Sequence, residues 1–156
     1  MPAPKLQRIL DTLGERLAVI LTTGGYYTDI GARVLRDRRT PEAAELPACL
    51  LYLGERAAEE TQQERTKCTQ SVTVEAFVDL GEADAETIGI QLLADVQRAM
   101  ELPDDTSLGG ELLSVRYGLT WESEEIYMPE MGANVVGVRV IYAMPHIRKL
   151  GDPEIA

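Results

Sequence analysis

Two cysteines and one histidine stand among the 156 residues of the chain, and this scarcity excludes several kinds of chemistry. Cys49 and Cys68 form no CxxC pair and are too few for a disulfide framework. A structural zinc site needs four paired Cys or His ligands, more than the chain contains. Any Ser–His–Asp or Cys–His arrangement would have to use His146, which follows Pro145 near the C-terminus without a nucleophile motif beside it. We therefore expect no catalytic residue, no metal site and no cofactor, and hence a protein that is not an enzyme.

Positive charge is also scarce, because 15 Lys and Arg residues stand against 26 Asp and Glu residues and leave a net charge of −11. Proteins that grip nucleic acid draw their affinity from clustered Lys and Arg. The balance therefore argues against specific nucleic-acid binding and is compatible with a soluble protein whose surface repels DNA.

Long apolar runs are missing as well. No stretch approaches the roughly 18 apolar residues that a membrane-spanning helix needs. The N-terminal residues are apolar only on a helical period and include Asp11, Glu15 and Arg16, whereas a signal peptide has a continuous apolar stretch. We expect a protein that folds in a cytosol and does not contact a membrane.

Two stretches have the period of amphipathic helices. In the first, apolar residues recur at spacings of three and four from Leu6 to Leu21, and Pro4 stands where proline suits the first helical turn. In the second, apolar residues from Ala85 to Met100 line one face, and Asp84 is placed to be the N-cap.

Strands are predicted from apolar–polar alternation and from one short apolar run. The predicted strands are residues 47–53, 71–79, 113–121 and 136–142, with a further short strand within residues 26–39. The highly charged residues 54–66 are predicted to join the first two strands as an extended, solvated hairpin arm, and residues 122–133 to connect the last two.

The order of these elements is a helix, a strand pair, a second helix and a second strand pair, which predicts an α+β fold. We expect a mainly antiparallel sheet of about four to five strands with two amphipathic helices packed on one face. A chain of 156 residues has the size of one domain. That domain is predicted over residues 1–145, followed by a polar C-terminal tail over residues 146–156.

Two groups of residues indicate contact surfaces. Large apolar residues interleaved with glutamates stand in the predicted connection between the last two strands, namely Ile126, Tyr127, Met128 and Met131. Exposed apolar residues of this kind favour an interface with another chain. The alternative is that this hairpin tip folds back onto the core of its own chain.

The second group is a basic run in an otherwise acidic protein, formed by Arg33, Arg36, Arg38 and Arg39. Arginine is enriched at interfaces, and a cluster of it pairs naturally with an acidic surface of a neighbouring subunit. The alternative is a solvated basic loop.

Taken in chain order, these features resemble the tail terminator family of long-tailed bacteriophages, whose members are also called minor tail or tail completion proteins. The resemblance covers nearly the whole chain and rests on element order and local sequence, without a signature as specific as a metal tetrad. It is carried by the N-terminal helix, Val34-Leu-Arg-Asp-Arg-Arg-Thr-Pro41, Leu46-Pro-Ala-Cys-Leu-Leu-Tyr52, Val72-Thr-Val-Glu-Ala-Phe-Val78, the helix over residues 85–100 and the closing strands with Trp121 between them.

The resemblance implies a structural protein of the virion tail or neck that is present in the host cytoplasm during assembly. It implies a ring, usually of six copies, that caps the tail tube and presents a surface to the head-side connector protein. It further implies that the genome passes through the lumen of this ring without specific binding, and acidic lining would keep the DNA mobile. The basic run and the apolar tip would then contact the ring neighbour or the tube, which is an inference from the residues themselves.

Two alternatives stay open. Another neck or head–tail joining subunit would share the size and fold style of a terminator. A small α+β ligand-binding domain or enzyme would instead use a carboxylate pair in a cleft beside the sheet, and it would need a pocket with a buried acid.

Overall fold

The computed structural model describes residues 3–36, 40–101, 118–130, 133–149 and 151. The helices and strands are α1 (Lys5–Ala18), β1 (Val34–Leu35), β2 (Ala48–Gln62), β3 (Arg65–Asp79), α2 (Ala85–Glu101), β4 (Thr120–Tyr127) and β5 (Val135–Lys149). Short 3₁₀ turns occupy Thr22–Gly24, Ile30–Ala32 and Ala43–Glu45. The predicted α+β class, with two helices, is confirmed.

The strands form one mixed sheet in the order β1-β2-β3-β5-β4. β1 pairs with β2 in parallel, and every other pairing is antiparallel, so the prediction of a mainly antiparallel sheet is confirmed. β2 and β3 form one hairpin, and β4 and β5 form a second that lies beside it through β5. β5 runs on to Lys149, past the predicted start of the tail at His146.

Alternation along the strands divides the sheet into two faces. The face that joins the hydrophobic core, here called the core face, contains Cys49, Leu51, Val72, Val74, Ala76, Val78, Val136, Val138, Val140, Tyr142 and Met144. Both helices contribute to the same core, with Ile9, Leu13 and Leu17 from α1 and Leu92, Val96 and Met100 from α2. The opposite face, here called the outer face, contains Leu50, Thr73, Glu75, Arg139 and Ile141.

The first helix is shorter than its apolar period predicts. α1 ends at Ala18, although Ile20 is still fully buried. The chain turns back here, because the Gly31 N–H donates to the Ile20 carbonyl at 2.9 Å. A Cβ on Gly31 would lie 2.5 Å from the Leu17 carbonyl oxygen, so the close approach requires glycine. Ile20 therefore reaches the core from a loop.

The start of the second helix follows the prediction. Asp84 directly precedes α2, and its carboxylate accepts hydrogen bonds from the Thr87 backbone N–H at 3.0 Å and the Thr87 hydroxyl at 2.8 Å. This is the N-cap contact that satisfies a free donor of the first turn. The same bonds lower the pKa of the Asp84 carboxyl.

The predicted extended hairpin arm over residues 54–66 is present, but most of it is strand, and the predicted connection over residues 122–133 also begins within a strand. Residues 54–62 and 65–66 belong to β2 and β3 themselves, and only Gln63 and Glu64 form the turn, with Gln63 at a φ of 53°. Ile126 and Tyr127 lie in β4, not in the connection that follows it. In both cases the ladder of the neighbouring strand extends the pairing through residues whose side chains show no alternation.

Candidate functional site

The three strands at the centre of the sheet are unusually long. β2, β3 and β5 each have 15 residues, or about 50 Å of extended chain. The 14 residues of α1 span only about 21 Å. In β2, Ala48–Leu51 are buried whereas residues 57–62 are exposed, so only one end of this strand is buried. We call the other end, residues 54–71 and 143–149, the arm, and the rest of the described chain the body.

At the edge of the arm, exposed polar side chains of β2 and β3 contact one another. Glu59 accepts a hydrogen bond from the Thr69 hydroxyl and lies 3.3 Å from the Lys67 ammonium group. These two contacts lower the pKa of the Glu59 carboxyl, the Thr69 bond most strongly. Exposed ion pairs of this kind add little stability. The arm edge is thus a solvated, charged surface that the body does not need for its own packing.

The interior of the arm is polar where the body is aliphatic. Gln70 is 2% exposed, and its amide donates to the carbonyls of Gly54 at 2.9 Å and Ser71 at 2.7 Å. These bonds satisfy the backbone at the irregularity between Leu53 and Arg56, where β2 contains one extra residue relative to β3.

Cys68 and His146 are direct cross-strand partners on this same face, a pairing that the sequence does not reveal. Both are buried. The His146 Nδ1 lies 3.2 Å from the Met144 carbonyl, which can only accept, so Nδ1 carries the proton. Burial lowers the pKa of His146, and the charges of Lys5 and Arg56 lower it further. The result is a buried neutral imidazole beside a buried thiol.

The outer face of the body contains the one buried carboxylate of the described strands. Glu75 is 7% exposed and accepts a hydrogen bond from the Tyr52 hydroxyl. Its Oε1 lies 3.9 Å from the Arg139 Nε on the neighbouring strand. The Arg139 guanidinium stands 5.3 Å from the centre of the Tyr127 ring, which in turn stacks on Phe77 at 6.4 Å. An ion pair, a hydrogen bond, a cation–π contact and ring stacking thus link side chains of four strands on the outer face.

This cluster lies at the wall of a recess of about 640 Å³ between the outer face and residues 40–46. Burial, followed by the contact with Glu75, raises the pKa of Tyr52 to about 12. Burial and the Glu75 charge also raise the pKa of Tyr127. Both phenols therefore remain protonated at neutral pH and can donate hydrogen bonds.

The predicted basic run is divided between exposed and undescribed positions. Arg33 is exposed just after the turn Ile30–Ala32. The Arg36 Nη1 lies 2.6 Å from the Asp11 Oδ1 of α1, with both side chains well exposed. Arg38 and Arg39 lie outside the described residues. The structure thus ties Arg36 to the body and leaves Arg33 in solvent.

The predicted apolar tip is divided as well. Ile126 is half-buried against α2, where a Cβ on Gly89 would lie 2.7 Å from the Ile126 Cγ2. Tyr127 is half-buried on Phe77, and Met128 is 56% exposed. Met131 lies outside the described residues. Of the three described residues of the tip, Met128 alone is exposed.

Sequence analysis missed Glu75, Arg139 and Asp95. The first two are charged residues within otherwise apolar strands, and that signal alone could have marked them as paired across the sheet. Asp95 is 1% exposed, and its carboxylate accepts from the Tyr27 N–H at 3.0 Å, the Thr28 N–H at 2.8 Å and the Thr28 hydroxyl at 2.7 Å. It holds the loop after α1 onto α2.

Other indicators of function are few. In the described ranges, no group of three or more His, Cys, Asp or Glu residues is arranged to hold a metal ion. No described helix is both long enough and apolar enough to span a membrane. No protein-family model matches the chain, and no curated protein matches its sequence. Inferences about function therefore rest on the arm, the sheet edges and the outer face.

Proposed function

We propose that this protein is a structural virion protein, a phage tail terminator that forms a ring, caps the tail tube and joins it to the head connector. The proposal combines the family resemblance of the sequence with the surfaces described above. In its finer form, both helices pack on the core face, and the outer face and the arm are turned toward neighbouring subunits.

The proposal rests mainly on the length and the exposure of the arm. Strands in globular proteins commonly have five or six residues, whereas three adjacent strands here have 15. The flank formed by residues 57–62 is exposed, so this part of the extra length in β2 buries no side chain against its own chain. A solvated strand flank of this kind is well suited to lie against a second subunit.

The edge of the sheet at β4 supports the same interpretation. β4 is the last strand of the sheet, and residues 120–125 within it are exposed. Trp121 is 45% exposed and Met128 is 56% exposed along this edge. Open strand edges and exposed large apolar side chains are the features by which chains associate. In a ring, this edge would meet the arm or the outer face of the adjacent copy.

The charge of the chain fits a channel for DNA. A net charge of −11 on each copy would give a ring a strongly negative field. DNA would then pass through the lumen without being held, because phosphate binding requires clustered cations. The proposed partners are other copies of the chain, the tail tube protein and the head-side connector protein.

Native mass spectrometry over a concentration series, followed by negative-stain imaging, tests the ring directly. A closed ring with a central hole and close to six subunits would support the proposal, and binding to isolated tail tubes would extend it. A strict monomer that also fails to bind tail tubes would refute it.

The basic run offers a mutational test of the same proposal. Changing Arg36 and Arg38 to Glu should weaken self-association while the monomer remains folded, because two interface cations become anions. Asp11→Ala is the matched control, since it breaks the ion pair with Arg36 inside the chain without adding negative charge. An unchanged oligomer size in the double variant would exclude the run from the interface.

Another neck or head–tail joining subunit remains the nearest alternative. It would form a ring as well, so only the axial partner separates the two. Binding to tail tubes favours a terminator, and binding to the head-side connector protein alone favours a joining protein.

A second candidate function, in a different class, is a small ligand-binding domain or enzyme. It is favoured by the recess on the outer face, which contains the buried Glu75 beside Arg139. The expected carboxylate pair has only one member among the residues that line this recess. A screen of small polar compounds by thermal shift, with Glu75→Gln as the comparison, would detect such a ligand.

A further inference from the structure

The core face of the arm contains a cluster of basic groups. The pairing register puts Arg56 opposite Gln70, Cys68 opposite His146 and Thr66 opposite Arg148. In the continuous ladder between β3 and β5, residues 66, 68 and 70 share a face with the core residues Val72 and Val74. Arg56, His146 and Arg148 therefore stand on one face of the arm.

Three buried nitrogen atoms of this cluster have no hydrogen-bond partner. The Arg56 Nη1, the His146 Nε2 and the Arg148 Nε are all shielded from solvent and make no hydrogen bond. Within the part of the chain that the structure describes, no carboxylate forms an ion pair with either arginine. Buried polar groups are almost always satisfied, so three orphaned atoms on one face point to something that binds there.

The N-terminus of α1 adds to the positive potential. Its N-cap is Pro4, which provides no side-chain hydrogen bond, and its first turn contains no acidic residue. Lys5 in that turn is 8% exposed and, with Arg56, is close enough to His146 to lower its pKa. A helix N-terminus has a partial positive charge, which adds to the charge of the basic side chains.

We propose that Arg56, Arg148 and His146 form a binding site for one oxyanion of the carboxylate or sulfate and phosphate type. The two guanidinium groups would donate to the oxygens, as arginine does in most carboxylate and phosphate sites. His146, fully buried beneath them, would take up a proton at Nε2 and donate to the same anion. The oxyanion comes either from solution or from a carboxylate of a second copy of the chain. The site does not depend on the ring.

His146 makes the test specific, because it is the only histidine in the chain and gives a single imidazole signal in the proton NMR spectrum. Sulfate is the probe, since it keeps its charge between about pH 5 and 8, where histidine titrates. The pKa of His146 is measured in sodium sulfate and in sodium chloride of equal ionic strength. We expect it to be higher in sulfate by about one unit, because an anion in contact favours the imidazolium.

Two variants locate the effect. Arg56→Gln combined with Arg148→Gln should abolish the difference between sulfate and chloride. Arg65→Gln, which removes one positive charge from the exposed end of the arm, should preserve it. If the double variant does not fold, the pKa of His146 in sulfate and in chloride is compared in the native protein and in Arg65→Gln alone, and the absence of a difference in both would overturn the proposal.

The outcomes also separate the two sources of the oxyanion. A shift in sulfate that the double variant loses indicates a free oxyanion. No shift in sulfate, together with self-association that the double variant loses and Arg65→Gln keeps, indicates a carboxylate of the second copy. No shift and no change in self-association would overturn the proposal, as would an equal shift in the double variant.

Discussion

The body and the arm are built from the same three strands but are stabilised in different ways. In the body, the core face contains aliphatic residues such as Val72, Val74 and Val138, which belong to one hydrophobic core with residues of both helices. In the arm, the same face continues with Gln70, Cys68 and His146. The regular ladder between β3 and β5 therefore runs through two regions whose core-face side chains differ, mostly aliphatic in the body and more polar in the arm.

The difference has an energetic consequence. Burial of aliphatic side chains is the dominant favourable term in folding, and the body contains most of it. The arm depends on ladder hydrogen bonds and on the amide of Gln70, which contribute less per residue. We expect the arm to open locally more often than the body, as the weaker parts of a fold do.

The largest expected effect is on the core of the body. Leu51→Ala in β2 should lower the free energy of unfolding by about 3 kcal/mol, because it removes a buried side chain and leaves a cavity. Thr61→Ala lies in the same strand but in the arm, where the side chain is exposed, and should cost less than about 0.5 kcal/mol. Urea denaturation of both variants measures the contrast. Equal costs would remove the distinction between body and arm.

A buried polar contact in the body should come next. Asp95→Ala should cost about 2 kcal/mol, because it leaves the buried Thr28 N–H without an acceptor. Asp29→Ala is the control, since its bonds to Thr22 are exposed and water can replace them. The same denaturation experiment applies, and a cost for Asp29→Ala as large as that for Asp95→Ala would contradict the assignment.

The two cysteines report on local opening. Cys49 is fully buried in the body, where burial raises the pKa of its thiol to about 12. Cys68 is buried in the arm and becomes accessible when the arm opens. A thiol reagent followed by peptide mass spectrometry should label Cys68 about tenfold faster than Cys49 in the native protein. In urea the two rates should converge, and faster labelling of Cys49 in the native state would refute the prediction.

The smallest effect concerns pH. Because the folded protein holds the pKa of His146 below its usual 6.5, the unfolded chain binds the proton first as the pH falls. Stability should therefore decline as the pH drops from about 7.5 to 5.5 in chloride buffer, with the loss beginning near the unfolded pKa. His146→Gln, which cannot titrate, should reduce this decline. Denaturation at several pH values compares the two, and identical slopes would exclude His146 as the source.

Much of the fold could be predicted from local patterns. The helical periods located both helices, and Asp84 was correctly assigned as an N-cap because capping depends on residues three apart in the chain. The alternation of Val72 to Val78 located a central strand. The secondary structure of the predicted interface residues was harder to predict. Ile126 and Tyr127 belong to β4 because they pair with β5, and no local pattern shows this pairing.

The sequence by itself determined the α+β class, the two helices and the mainly antiparallel sheet, because hydrophobic period and turn residues act over a few positions. Only the tertiary structure decided the length of the arm, the pairing of Cys68 with His146, and the meeting of Glu75 with Arg139. These features depend on strand register between residues far apart in the chain, and a shift of one residue would turn every side chain to the other face. Register is set by the whole core at once, which is why no local pattern reveals it.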